Sequence, residues 1–211
     1  ETEAPIRSLN RALPRQPKQD NHFAAMPYEE VPSFIGHLHR RCSVPRLALE
    51  FLILCASRSG EVRGATWSEI DLANRMWTIP AIRMKVGKAH VVPLSDAAVD
   101  VLDRARPYYA PCIDLIFPGR NVLKPMSDMT LLKILRYHQL PFTVHGFRSA
   151  FRDWAAEQTD YPGEVAEAAL AHTVANKVEA AYRRTNYLEK RRDMMAEWAE
   201  YCNGTAHQDK P

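Results

Sequence analysis

The sequence predicts a mainly α-helical domain with a small antiparallel β-sheet, an α+β fold. Three observations predict it. Apolar residues recur at helical spacing through most of residues 29–202, brief apolar runs flank one basic stretch near the middle of the chain, and nearly everything from Thr143 onward reads as helix. A chain of 211 residues can bury about 70% of its unfolded surface, enough for a single core. Residues 1–25 carry three prolines and little periodicity, and read as a linker leaving an upstream domain. Residues 26–205 form the compact domain and 206–211 a polar tail. The chain opens on Glu1 without a basic-then-apolar leader pattern, so it reads as a piece of a longer protein.

In order, the first helix spans Glu29–Arg40, with Val31, Phe34, Ile35 and Leu38 on one face and Pro32 in the first turn, where a missing N–H costs nothing. A second, strongly apolar helix runs from Arg46 to Ser57 and ends at Arg58. Glu61–Trp67 is a helical turn. Met76–Pro80 and Ala89–Pro93 make a hairpin around Arg83–Lys88 and carry Lys85. Ser95 caps a helix reaching Arg106, and Leu115–Phe117 is a third short strand before Pro118-Gly119. Ser127–Tyr137 is helical. In the helix His145–Gln158, Phe147, Phe151, Trp154 and Ala155 form one apolar stripe, and His145, Arg148 and Arg152 lie opposite. Two arginines and a histidine off the core want an anion. Glu164–Ala171 is a helix ending at His172. Leu188, Met195, Trp198 and Cys202 make the last helix amphipathic, so it packs on its own core or on a neighbouring copy.

Composition narrows the function. No apolar run is long enough to span a membrane, which argues against a membrane function. Cys42, Cys55, Cys112 and Cys202 are scattered without close Cys or His neighbours, which fits a reduced compartment and argues against a zinc site. The net charge is only +3, so its distribution matters more than its sum. Arg75, Arg83, Lys85 and Lys88 stand together without an acid, and Arg183, Arg184, Lys190, Arg191 and Arg192 follow Tyr182. Each cluster alone reads equally well as a solvated face.

The chemistry lies in Arg58, Lys85, His145, Arg148, His172 and Tyr182. Paired arginine donors suit a phosphate, lysine and histidine hold or move protons, and a tyrosine supplies an oxygen nucleophile. Such a set calls for no metal, cofactor or ATP.

These residues sit in five ordered segments: Arg58-Ser-Gly-Glu-Val-Arg-Gly-Ala-Thr-Trp-Ser-Glu-Ile-Asp, Met84-Lys85-Val-Gly-Lys-Ala-His-Val-Val-Pro-Leu-Ser, Thr143-Val-His145-Gly-Phe-Arg148, Ala168-Ala-Leu-Ala-His172 and Ala181-Tyr182-Arg-Arg. In this order they resemble the catalytic domain of tyrosine recombinases, the phage integrase family, and especially its prophage and genomic-island branch. The resemblance covers Met26 to about Tyr201 and implies that the linker over residues 1–25 leads from an upstream DNA-binding region. It implies that Arg58 and Arg148 bind the scissile phosphate and that Lys85, with Lys88 as rival, protonates the leaving 5′ oxygen. His145 and His172 would assist at the phosphate or the nucleophile, in roles the sequence leaves open. Tyr182 would form a 3′-phosphotyrosine, with Tyr187 as the alternative. Arg83, Lys88, His90, Arg152, Arg183 and Arg184 are candidate DNA contacts. The partners implied are duplex DNA at attachment sites, further copies forming a tetrameric synapse, and DNA-bending or directionality proteins. Cys55-Ala56-Ser57 departs from the pattern, since many relatives carry a threonine-glycine step there.

Two other readings remain at this point. A type IB topoisomerase shares the catalytic chemistry and would relax supercoiled DNA without site preference. A helical DNA-binding module with an inert tyrosine would bind through its basic surface and form no covalent adduct.

Overall fold

A computed structural model of the protein describes residues 24–85, 87–109, 112–172 and 187–204. After a 3₁₀ turn at Tyr28–Glu30 come α1 (Val31–His39), α2 (Val44–Leu54) and the short α3 (Ser59–Arg63). A three-stranded sheet follows, built from β1 (Ile70–Asp71), β2 (Met76–Ile79) and β3 (His90–Pro93). The remaining helices are α4 (Asp96–Ala105), α5 (Met129–Tyr137), α6 (Gly146–Gln158), α7 (Gly163–Ala169) and α8 (Leu188–Cys202).

The core forms around α2, whose residues Leu47–Leu54 are all buried. A helix apolar all round must be wrapped by neighbours, and α1, α4, α5 and α8 pack against it. Its single buried carboxylate, Glu50, is paired with His39 at 2.8 Å and with Arg104, which meets the rule that a buried charge needs partners. On the far side, α6 and α8 interleave aromatic rings. Trp198 lies 5.0 Å from Trp154 and edge-on to Phe151, and its Nε1–H donates to the Ile53 carbonyl at 2.9 Å.

The predicted hairpin is present, in the register Met76↔Pro93, Trp77↔Val92, Thr78↔Val91 and Ile79↔His90. Trp77 and Ile79 face inward, and Met84, just beyond β2, is also buried, which anchors the base of the loop carrying Lys85. The third strand differs from the expectation. It is Ile70–Asp71, paired antiparallel with β2, whereas Leu115 makes only an isolated bridge to Thr66, reinforced by Ile116 N–H to the Ala65 carbonyl. Two residues are too few for alternation to show in a sequence.

Three helices, α2, α5 and α7, end alike, and the ends of α2 and α7 matter to the site. At the end of α2, Ser57 N–H bonds the Leu52 carbonyl and Ala56 N–H the Ile53 carbonyl; at the end of α7, His172 N–H bonds Glu167 and Ala171 N–H bonds Ala168. These are Schellman motifs, whose hinge residue adopts the left-handed conformation that favours glycine. Here alanine occupies both hinges, with φ of 47° at Ala56 and 49° at Ala171. A left-handed alanine costs on the order of 1 kcal/mol. Ala56→Gly is therefore expected to stabilise the fold by about 1 kcal/mol, or about 2–4 °C in Tm for a domain of this size. Calorimetry checks this, and a fall in Tm would show that the turn carries no strain.

Candidate active site

Arg148 is the centre of the site. Sequence periodicity places it opposite the apolar stripe, but the structure buries it to 4% exposure, because the ends of α2 and α7 close over that face of α6. Among the described residues no carboxylate is bonded to its guanidinium. Instead Nη1 donates to the Ala56 carbonyl at 2.6 Å, and Nη2 to the Leu170 carbonyl at 2.6 Å. The last carbonyls of a helix lack intrahelical donors and carry the negative end of its dipole, so two helix C-termini together stabilise one buried cation. Burial, with the positive charge of Arg58 second, pushes the Arg148 guanidinium down to about 10, against the opposing pull of Glu61 and Glu167. It remains charged at neutral pH.

Arg58 meets Arg148 on the same acceptor, its Nη2 standing 3.5 Å from the carbonyls of both Leu170 and Ala171. It precedes α3 as the N-cap residue, where a helix dipole disfavours a cation. Glu61 compensates. Its two carboxylate oxygens accept from the Arg58 backbone N–H and from Nη1, each at 2.8 Å, fixing the guanidinium and leaving Arg58 part exposed toward solvent. Arg58, where the sequence ends the second helix, thus starts the next helix instead.

His172 joins the pair directly, with Nε2 3.1 Å from Arg148 Nη2 and Nδ1 2.7 Å from Glu167 Oε2. His145 stands at the N-cap of α6. Burial first, then Arg148, Arg58, His172 and Lys85, push its imidazole below the usual histidine range. Lys85 is exposed on the hairpin, and its charge is the last of these contributions to the shift at His145. Gly146 follows from a close approach, because a Cβ there would come within 2.6 Å of the Ala24 carbonyl oxygen and 2.7 Å of Ala25 Cα. Phe147 stacks on Phe34 at 5.5 Å. Within the His-Gly-Phe-Arg box, two residues seat the helix and two face the site.

The other candidates divide. Arg83 is turned inward: Nη1 donates to the Glu61 carbonyl at 2.8 Å and Nη2 pairs with Glu69. It braces the hairpin against α3. His90 is also drawn in, with Nε2 3.2 Å from the Ala169 carbonyl. Burial, then the charge of Arg191, pushes its imidazole down to about 4, so it is neutral and ties β3 to the end of α7. Lys88 is exposed at the hairpin tip. Arg152 is exposed and bonds Glu167 Oε1 at 2.7 Å. Tyr182, Arg183 and Arg184 lie outside the described residues. Tyr187, the rival nucleophile, donates its hydroxyl to Glu164 Oε2 at 2.7 Å.

Sequence reasoning missed Glu167 and misread Arg191. Glu167 precedes His172 by five residues, a spacing that joins no helix face; only the left-handed turn at Ala171 folds the imidazole back over the carboxylate. Arg191 looked like part of a solvated basic cluster but is 2% exposed, donates to the Val91 carbonyl, and is pushed by burial down to about 10. It pins α8 to the hairpin strand. Among the described residues, no group of three or more His, Cys, Asp or Glu could hold a metal ion, and no helix is long and apolar enough to cross a membrane.

Residues 25–189 match the model of the phage integrase family. The chain is 34% identical over 201 residues to prophage integrase IntA of Escherichia coli strain K12, covering 92% of this chain and 48% of that protein. It is 36% identical over 205 residues to prophage integrase IntZ of the same strain, covering 94% and 49%. The chain thus spans about half the length of the curated relatives it matches. Among solved structures it resembles the integrase from mycobacterium phage Brujita, with a TM-score of 0.62 at 18% identity, covering 94% of this chain and 63% of that one. It also resembles a lambda integrase (75–356) dimer bound to a COC′ core site, with a TM-score of 0.60 at 19% identity, covering 77% and 62%. At those identities the likeness is one of fold. With its helical fold, its small antiparallel sheet and its ordered arginine-histidine site accounted for, the chain belongs to the phage integrase family.

Proposed function

We propose that this chain is the catalytic domain of a tyrosine recombinase, which cleaves and rejoins DNA at attachment sites through a 3′-phosphotyrosine to integrate or excise a mobile element. The observation that carries the reading is the convergence of Arg58 and Arg148 on the single carbonyl of Leu170. Two guanidinium groups held that close present several N–H donors to one tetrahedral oxyanion, and among the described residues no carboxylate is bonded to Arg148. A phosphodiester placed there would exchange the long carbonyl contacts of Arg58, at 3.5 Å each, for charge-assisted hydrogen bonds. As the phosphorane forms, its added negative charge meets donors already in position.

The roles follow. Tyr182 Oη, yielding its proton to a histidine of the site, attacks phosphorus as the bond to the 5′ oxygen breaks, and Lys85, exposed on the hairpin, supplies the proton that oxygen needs. An unperturbed phenol near pKa ~10 is about one part in a thousand ionised at pH 7; two arginines and a lysine lower that barrier electrostatically. The bond energy is kept in the phosphotyrosine, so rejoining requires no ATP. The partners are duplex DNA and further copies of the protein, assembled as a tetramer in the synapse, with DNA-bending or directionality proteins beside them in the bacterial cytoplasm.

The test uses a duplex carrying the element's attachment sequence, nicked so that the short 5′-hydroxyl strand leaves after cleavage. The expected result is a denaturant-resistant protein–DNA adduct whose tryptic map places the nucleotide on Tyr182. DNA bound at the site without any adduct would favour an inert binding module, and relaxation of plasmids lacking the sequence would favour the topoisomerase reading.

A further inference from the structure

Glu167 lies outside the arginine pair and no step above uses it, yet it is bonded on both sides. One carboxylate oxygen accepts from Arg152 Nε at 2.7 Å and the other lies 2.7 Å from His172 Nδ1. Partial burial alone would raise its pKa, but the hydrogen bonds from Arg152 and His172 hold it below the usual carboxylate range, so it is ionised at neutral pH. An ionised carboxylate only accepts hydrogen bonds, and His172 Nδ1 must therefore carry a proton. At the other end of the ring, Nε2 faces Arg148 Nη2 at 3.1 Å, and a guanidinium only donates, so Nε2 must present its lone pair. Two independent partners thus select the same tautomer. The turn at Ala171 aligns the ring as well, since the His172 backbone N–H bonds the carbonyl of Glu167 itself at 3.0 Å.

We infer that Glu167 is a positioning residue for His172. It keeps the imidazole in the Nδ1–H form with the Nε2 lone pair directed into the arginine pair, and it stabilises the imidazolium once a proton arrives there. The inference rests on the recombinase reading for its chemical step: as Tyr182 Oη bonds phosphorus, its proton passes to His172 Nε2, the bond to the 5′ oxygen breaks, and that oxygen takes a proton from Lys85. The carboxylate–imidazole order is the one by which an acid orients a histidine base beside a hydroxyl nucleophile. Arg152 belongs to the same chain of contacts, orienting the carboxylate.

The first measurement needs no DNA. Long-range ¹H–¹⁵N correlation spectra, with His172 assigned through His172→Gln, are expected to show Nδ1 protonated and Nε2 unprotonated in the wild type. Glu167→Ala is expected to move His172 toward the Nε2–H form. The second measurement is single-turnover cleavage of the nicked duplex. Glu167→Ala should cleave about 10–100-fold more slowly, the usual cost of losing an outer partner of a working histidine, with DNA affinity within about twofold of wild type. Glu167→Gln, whose amide oxygen can still accept from Nδ1, should recover most of the rate. A wild-type proton on Nε2, or a folded Glu167→Ala protein cleaving at the wild-type rate, would overturn the assignment. Wild-type protein that shows the expected tautomer but never cleaves would instead sink the recombinase reading.

Discussion

Arg148→Lys should lower single-turnover adduct formation by about 10²–10³-fold, the usual cost of one preorganised donor to a developing oxyanion. Lysine keeps a charge in the unfolded chain, but this pocket treats it differently. The arginine spans from Ala56 to Leu170 with a planar fork, bonding carbonyls on two helices and His172 together. An ammonium on a flexible stem cannot reach all three. The burial that pushes the guanidinium down to about 10 acts equally on a lysine, whose lower starting pKa brings it toward neutrality at physiological pH. Arg148→Ala is the less informative variant. It leaves a cavity and unpaired carbonyls, so lost activity and lost fold would be mixed. The measurement is adduct yield against time on the nicked duplex, with Tm recorded alongside. A folded Arg148→Lys protein within tenfold of wild type would remove Arg148 from the reaction.

Trp198→Ala is expected to cost about 3–5 kcal/mol of stability, about 10 °C or more in Tm for a domain of this length. Trp198 is fully buried, touches Phe151, Trp154 and Tyr201, and its Nε1–H satisfies the Ile53 carbonyl at 2.9 Å. Truncation therefore removes both a large apolar surface and the donor of a buried acceptor. Trp198→Phe should cost less, since it keeps most of the ring area and loses mainly the donor. Chemical denaturation measures both, and a loss under 1 kcal/mol for the alanine variant would mean that α8 does not belong to this core. The prediction decides between two expectations for the last helix. Its buried residues include Met194, Met195 and Cys202, and it packs on the chain's own α1, α2, α4 and α7, with Trp198 reaching α6, so cutting the chain before Trp198 should unfold the domain rather than merely weaken assembly.

Helices and site were legible to different depths. The helix over Gly146–Gln158 was plain because its stripe of Phe147, Phe151 and Trp154 repeats at helical spacing, and the hairpin because two apolar runs flank a basic loop. The strand at Ile70–Asp71 was not, since two residues carry no period. Arg58, Arg148, His145 and His172 were recognisable by type and order, and the fold brings all four to one place. The same reading mistook Arg83 and His90 for outward-facing groups, because strand and loop residues bonded to carbonyls elsewhere in the chain look identical in sequence to residues facing solvent.

Local order along the chain therefore determined which side chains are present and which elements carry them: periodicity and spacing are properties of neighbours, and neighbours are written in the sequence. Only the tertiary structure decided that Arg148 is buried against the ends of two helices, that Glu167 rather than a solvent molecule holds His172, and that Arg191 anchors the last helix instead of joining a basic surface. The first two depend on left-handed turns at Ala56 and Ala171, which aim carbonyls and an imidazole at groups as many as 92 residues away. Burial and hydrogen-bond partners are set by distance in space, which the order of residues does not state.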